Sequence, residues 1–169
     1  MKVKCLSVKQ PDAHWIVTGA KRIIGLEENP PYRGPLLIHS SFSSEELSDT
    51  TLEFLRERGE SAAEISRLPR SYIIGAVDIV DVIPKVREDG RVRGPSEISD
   101  RIAKVLLEHG EELTDEELLD QGYFFCDHWM PTYWIFAKPR QLAQPVRCRG
   151  ALDPWTPPDS ILNEVSELL

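Results

Sequence analysis

The chain has 169 residues, 41% of them hydrophobic and 28% charged, an ordinary balance for a soluble globular domain with length enough for one real core. No stretch approaches the apolar length of a bilayer span, and the net charge of −8 excludes a globally basic nucleic-acid binder. The negative charge is concentrated: residues 43–70 carry seven acids and four bases and residues 87–122 eleven acids and five bases, whereas the first 42 residues hold six bases and three acids. A local basic face therefore remains open. The opening MKVKCLSVKQPDAHW has lysines but no apolar run behind them, so a secretory signal is not expected and the chain reads as cytoplasmic. Cys5, Cys126 and Cys148 form no CxxC pair, which argues for reduced thiols over a disulfide scaffold or a cysteine zinc site.

Residues 2–8 alternate, with Val3, Cys5 and Ser7 on one side, and predict a strand. Gln10-Pro11 breaks it, and Ala13 to Thr18 reads as a short helix ending at Gly19. Lys21 to Leu26 reads as a strand. Turns at Asn29-Pro30-Pro31 and Arg33-Gly34-Pro35 lead to a strand over Leu36 to Ser41, with Leu37, His39 and Ser41 on one face. Ser43 with Glu46 carries a capping-box signature and opens a first helical insertion, residues 43–70, with an apolar stripe of Leu47, Phe54 and Leu55. Residues 72–83, rich in β-branched side chains, predict a central strand. A second insertion, residues 87–122, holds the amphipathic pattern Ile98, Ile102, Val105 and Leu106, then a second capping box at Thr114 and Glu117. Residues 123–126 and 132–137 are aromatic-rich and read as strands. Residues 138–158, with five prolines, read as extended and irregular, and Ile161, Leu162, Val165 and Leu168 form a last helix. The sum is an α+β domain or a small barrel with helical decoration.

Four phrases in order resemble the ASCH family: Leu6-Ser7-Val8-Lys9-Gln10-Pro11; Gly19-Ala20-Lys21, the start of its GxKxxExR motif; Tyr32-Arg33-Gly34-Pro35-Leu36-Leu37-Ile38-His39-Ser40-Ser41; and an ending through Gly150 to Trp155. Residues 75–82 are similar to the family's central strand. The resemblance implies one domain over residues 1–169: a PUA-like small mixed β-barrel with peripheral helices and the two helical insertions. It also implies binding of RNA or a modified nucleotide in a cleft beside Lys21, and hydrolytic activity in some members. The motif's Glu and Arg positions are Ile24 and Leu26 here, so both charges are missing together. In the family's cytidine-amide hydrolases the catalytic set resembles a Lys, a Thr and a Glu. Lys21 matches the first, Ile24 stands where the Thr belongs, and no glutamate matches the third.

The candidate ligand contacts are Lys9, Gln10, Lys21, Arg33 and His39. Lys21 suits a phosphate contact or a catalytic amine; its bland counterpart is a strand-end lysine in water. Arg33 suits a bidentate phosphate grip, against a structural role bonding turn carbonyls. Lys9 and Gln10 stand at a helix start, where anions bind, against a simple capped turn. His39 shares a face with an apolar neighbour, so an interior hydrogen-bonded histidine competes with a functional one. Trp129, beside Pro131, is the preferred stacking aromatic; Trp134 and Trp155 are assigned to the core. Cys126 and Asp127-His128 lack the partners a metal needs, and no metal or cofactor is expected.

These residues favour binding of RNA or a nucleotide-like ligand. Two alternatives stand beside it: a hydrolase, either a ribonuclease working through Lys21 and His39 or an N4-acylcytidine amidohydrolase, and a protein-interaction module using the acidic helices.

Overall fold

The fold is known from a computed structural model that describes residues 3–43, 46–126, 130–152 and 154–169. Five strands make one mixed sheet: β1 (Lys4–Val8), β2 (Ile23–Leu26), β3 (Gly34–Ser40), β4 (Tyr72–Pro84) and β5 (Thr132–Arg147), in the order β1-β3-β4-β5-β2. Strands β1 and β3 run parallel; the other three pairings are antiparallel. With six helices among the described residues, this is the α+β domain that the sequence leads one to expect. The expected barrel is, as described, an open sheet. Its end strands β1 and β2 are short, and among the described residues no ladder joins them. The outer side of β1 is covered instead by Trp155, which exchanges two backbone hydrogen bonds with Cys5 at 2.7 and 2.9 Å.

Alternation along the strands sorts their side chains into separate cores. Leu6, Val8, Leu36, Ile38, Trp134 and Phe136 meet Ala13, Ile16 and Val17 of helix α1 (Asp12–Thr18) on one side. The opposite parity of β5, Tyr133, Ile135 and Ala137, faces the insertion helices. Cys5, Leu37, Ile73, Ala76, Val146 and Cys148 form a third cluster, covered by Val165 of a C-terminal helix. A fully buried Leu, Ile or Phe contributes about 1.5–3 kcal/mol, so each cluster outweighs any single surface ion pair.

The insertions are helical, as the periodicity requires: α2 (Asp49–Glu57), α3 (Ala62–Ser66), α4 (Pro95–Glu108) and α5 (Asp115–Cys126). Their apolar stripes bury Phe54, Leu55, Ile98, Ile102 and Leu106 in one shared cluster. Helix α2 starts later than the Ser43–Glu46 signature suggests: Ser48 is its cap, and its hydroxyl accepts from the Thr51 amide at 3.2 Å. The second capping box is formed. Glu117 accepts from the Thr114 amide at 2.7 Å, and the Glu117 amide donates to the Thr114 hydroxyl at 3.2 Å.

Two sequence expectations are corrected. Residues 123–126 are the last turn of α5, not a strand, because Phe124 and Phe125 pack against Trp15, Phe54 and Tyr133, and this tertiary packing overrides aromatic β-propensity. Residues 138–147 are not irregular: β5 continues through both of its prolines to Arg147. Register shifts against β4, and a left-handed Lys138 at φ 51°, absorb the interruptions. The last helix, α6, spans Asp159–Leu168.

Candidate functional site

The GxK motif sits where α1 ends. Gly19 takes φ 87°, a left-handed cap that glycine adopts without strain, and its amide bonds back to the Ile16 carbonyl. The next residues are gripped by α5: Gln121 Oε1 accepts from the Arg22 amide at 2.7 Å, and its Nε2 donates to the Ala20 carbonyl at 2.9 Å. Arg22 pairs with Glu111 at 2.7 Å. Helix α5 therefore lies over the motif, and Lys21 has no exposed surface. Its ammonium stands 2.9 Å from Asp12 Oδ2 and 4.9 Å from the Phe124 ring centroid. The Asp12 contact is an ion pair whose angle is poor for a hydrogen bond, and Nζ has no well-formed hydrogen bond among the described residues. Lys21 is thus neither the solvated strand-end lysine nor a cation facing an open cleft.

The other candidates part company. Arg33 is exposed and spends its guanidinium on the carbonyls of Pro30 and Tyr32, both at 3.1 Å, which is the structural role set against phosphate binding. Gln10 is buried: its Nε2 donates to the Pro69 carbonyl at 3.1 Å, and its Oε1 accepts from the His14 amide at 3.0 Å. With the Ala13 amide bonded to the Lys9 carbonyl, two donors of the α1 start are already used, which leaves few amides there for an anion. Lys9 is exposed at the end of β1. Trp129, Asp127 and His128, with the Cys126 side chain, lie outside the described residues. Among the described residues no group of three His, Cys, Asp or Glu side chains is placed to hold a metal. Cys5 and Cys148 are free thiols, and burial raises the pKa of both.

His39 does reach a pocket, and its surroundings were not foreseen. Strands β1 and β3 set Ser7 opposite His39, on the face they share with Cys5 and Leu37. The His39 Nδ1 is 3.2 Å from Ser7 Oγ, its Nε2 is 2.7 Å from the Cys148 carbonyl, and Trp155 Nε1 donates to Ser7 Oγ at 3.3 Å. The Trp155 ring meets the imidazole edge-on at 6.0 Å. Burial lowers the His39 pKa from its usual 6.5, partly opposed by the Cys148 carbonyl, so the ring is neutral at neutral pH. The pocket above this pair holds about 360 Å³ and is lined by Ser7, His39, Ser41, Phe42, Ser71 and Arg149 with residues 150–152. Phe42 is 83% exposed, and Arg149 is exposed with no ion pair among the described residues. Lys21 and Arg33 do not line it.

Sequence reasoning missed Ser7, Phe42 and Arg149. The alternation that put Ser7 on one face was visible, but its register against His39, and the return of the chain at 148–155, are tertiary facts.

No helix among the described residues is long and apolar enough to cross a membrane. No family model matches the chain. Among characterised proteins, it is 33% identical over 82 residues to human (Homo sapiens) activating signal cointegrator 1, covering 47% of this chain and 14% of that protein. The Mus musculus protein of the same name is 27% identical over 112 residues, covering 64% of this chain and 19% of that protein. The chain thus matches a small part of these longer relatives. Among solved structures, ASCH from Zymomonas mobilis superposes with a TM-score of 0.52 at 11% identity, covering 99% of this chain and 95% of that one, a likeness of fold alone.

Proposed function

Because this chain is an ASCH domain, we propose that it binds single-stranded RNA or a nucleotide-like ligand, and that it does so in the His39 pocket rather than at Lys21. We take residues 1–169 as one domain whose sheet curves as a PUA-like barrel wall. The observation that carries the reading is the pairing, in one pocket, of an exposed guanidinium with no ion pair among the described residues and an exposed aromatic ring, Arg149 and Phe42. Arginine grips phosphate as a fork, and a ring at a pocket mouth stacks on any base. The hydroxyls of Ser41 and Ser71 supply base-edge partners beside the His39 ring, whose own nitrogens are taken by Cys148 and Ser7, and exposed Lys9, which closely follows Ser7, adds charge at the end of β1. Such a site suits an unpaired nucleotide, whose edges are free, better than a duplex.

Fluorescence anisotropy with a labelled tetranucleotide tests this. Phe42→Ala removes a stacking partner worth about 1–3 kcal/mol, so affinity falls roughly 5- to 150-fold. Absence of binding to RNA, DNA and nucleotides overturns the reading. A second reading, a protein-interaction module, is favoured by one observation: the groove between α4 and α5 is flanked by Asp100 and Asp115 and carries Leu119 at 75% exposure, which fits a basic peptide with an apolar anchor.

A further inference from the structure

We infer that Ser7 is a nucleophile activated by His39, and that the pocket hydrolyses small esters carrying an anionic group through an acyl-Ser7 intermediate. The inference shares the pocket with the ligand reading but requires no nucleic acid.

The argument begins with hydrogen positions. The Cys148 carbonyl oxygen only accepts, so His39 Nε2, 2.7 Å away, carries the ring proton. That leaves the lone pair of Nδ1 facing Ser7 Oγ at 3.2 Å. Trp155 Nε1 only donates, and it donates to Ser7 Oγ at 3.3 Å. With one lone pair occupied by the indole, the serine hydroxyl directs its own hydrogen at Nδ1. Nucleophile, base and a group that orients the base thus stand in hydrogen-bonding order, as covalent hydrolysis requires. The imidazole is held from both sides, because Ser7 and His39 are register partners on adjacent strands.

Access is the second point. A Cβ built on Gly150 lies 2.8 Å from both Ser7 Oγ and His39 Nδ1, so any other residue there crowds the pair. Glycine lets the backbone pass close to the pair without a side chain in the way, and Ser7, only half-buried, lines the pocket. Arg149, with no ion pair among the described residues, supplies the anion grip, and the Ser41 and Ser71 hydroxyls line the space where a carbonyl oxygen becomes negative.

The chemistry balances. Ser7 Oγ attacks the ester carbonyl carbon as its proton passes to His39 Nδ1. The bond to the alcohol oxygen breaks, and the alcohol leaves with that proton. Water then attacks the acyl carbon and gives its proton to Nδ1, and Ser7 Oγ leaves and recovers it. One ester and one water become one acid and one alcohol.

Treatment of the full chain with a fluorophosphonate, followed by intact mass and peptide mapping, tests the nucleophile. The expected result is one adduct, on Ser7, whose rate of formation falls about 100-fold or more in His39→Gln. For turnover, p-nitrophenyl succinate is preferred over p-nitrophenyl acetate, and Arg149→Ala cuts that preference about tenfold, as for one charge-assisted hydrogen bond. If His39→Gln does not fold, the site of the wild-type adduct decides by itself. No adduct on Ser7, or one whose rate ignores His39→Gln in folded protein, overturns the inference. A Ser7 adduct on protein that binds no RNA removes the ligand reading alone; RNA binding without an adduct removes this one alone.

Discussion

The Lys21 ammonium and the Asp12 carboxylate form an ion pair at 2.9 Å, with side chains 0% and 10% exposed, sealed beneath α5 by the Phe124 ring. A buried pair contributes little net stability compared with apolar residues, yet breaking it strands a charge. Lys21→Ala is expected to cost about 3–5 kcal/mol in urea unfolding, whereas Lys21→Met with Asp12→Leu is expected to be near neutral. A loss below about 0.5 kcal/mol for Lys21→Ala, the level of an ordinary surface change, speaks against the pair.

The same burial argues against amidohydrolase chemistry at the motif. Ile24 is 8% exposed and brings no hydroxyl, and Lys21 is committed to Asp12. Purified protein is expected to leave N4-acetylcytidine intact over hours at neutral pH by chromatography. Robust turnover that disappears in Lys21→Ala, and also in the Lys21→Met, Asp12→Leu pair expected to fold, would restore a site there.

Histidine burial makes stability depend on pH. Burial lowers the pKa of both His39 and His14 from 6.5, Glu60 partly opposing it at His14. A depressed folded pKa means the unfolded chain binds protons first. Their contribution is therefore complete above pH 6.5 and is lost as pH falls through the lower folded values. Melting temperature is expected to decline below pH 6.5, with a shallower decline in His39→Gln, where His14 alone of this pair remains.

Salt dependence counts phosphate contacts. The sequence suggests three cations, Lys9, Lys21 and Arg33, and a log–log slope near −2 on a single strand, at about −0.7 per phosphate. With Lys21 sealed and Arg33 holding its own turn, Arg149 and Lys9 remain, and the expected slope is about −1.4. Affinity is expected to be flat with length beyond a few nucleotides, since acidic helices flank the domain. Titrations with RNA of increasing length at two salt concentrations read both quantities, and a steep rise with length would reveal an extended basic track.

Much of the fold was legible because periodicity is local. The alternation in β1 and β3, the 3.6-residue stripes of α2 and α4, and the Thr114–Glu117 box depend only on near neighbours, and each appears in the structure. Phe124 was misread because its environment is set by Trp15 and Phe54, distant in sequence, and Phe125 with it, because it packs on Tyr133 of β5. The site was less legible for the same reason. Lys21 stood out as a motif residue, but what decides its role is Gln121, a hundred residues away, holding α5 over it. His39 was singled out by its face, while its neighbour Ser7 became visible only through strand register.

The sheet order also sets a timetable for synthesis. Edge strand β2, Ile23 to Leu26, is laid down early, yet its partners are residues 132–135 of β5. At roughly 5–20 residues per second on the ribosome, those partners arrive on the order of ten seconds later. Through that interval Ile23, Ile24 and Leu26 form an apolar segment without its β5 partner, while the two acidic insertions are being made. The dense negative charge of residues 43–70 and 87–122 follows that segment in the chain, and like charge opposes edge-to-edge association of neighbouring chains before β5 pairs with β2.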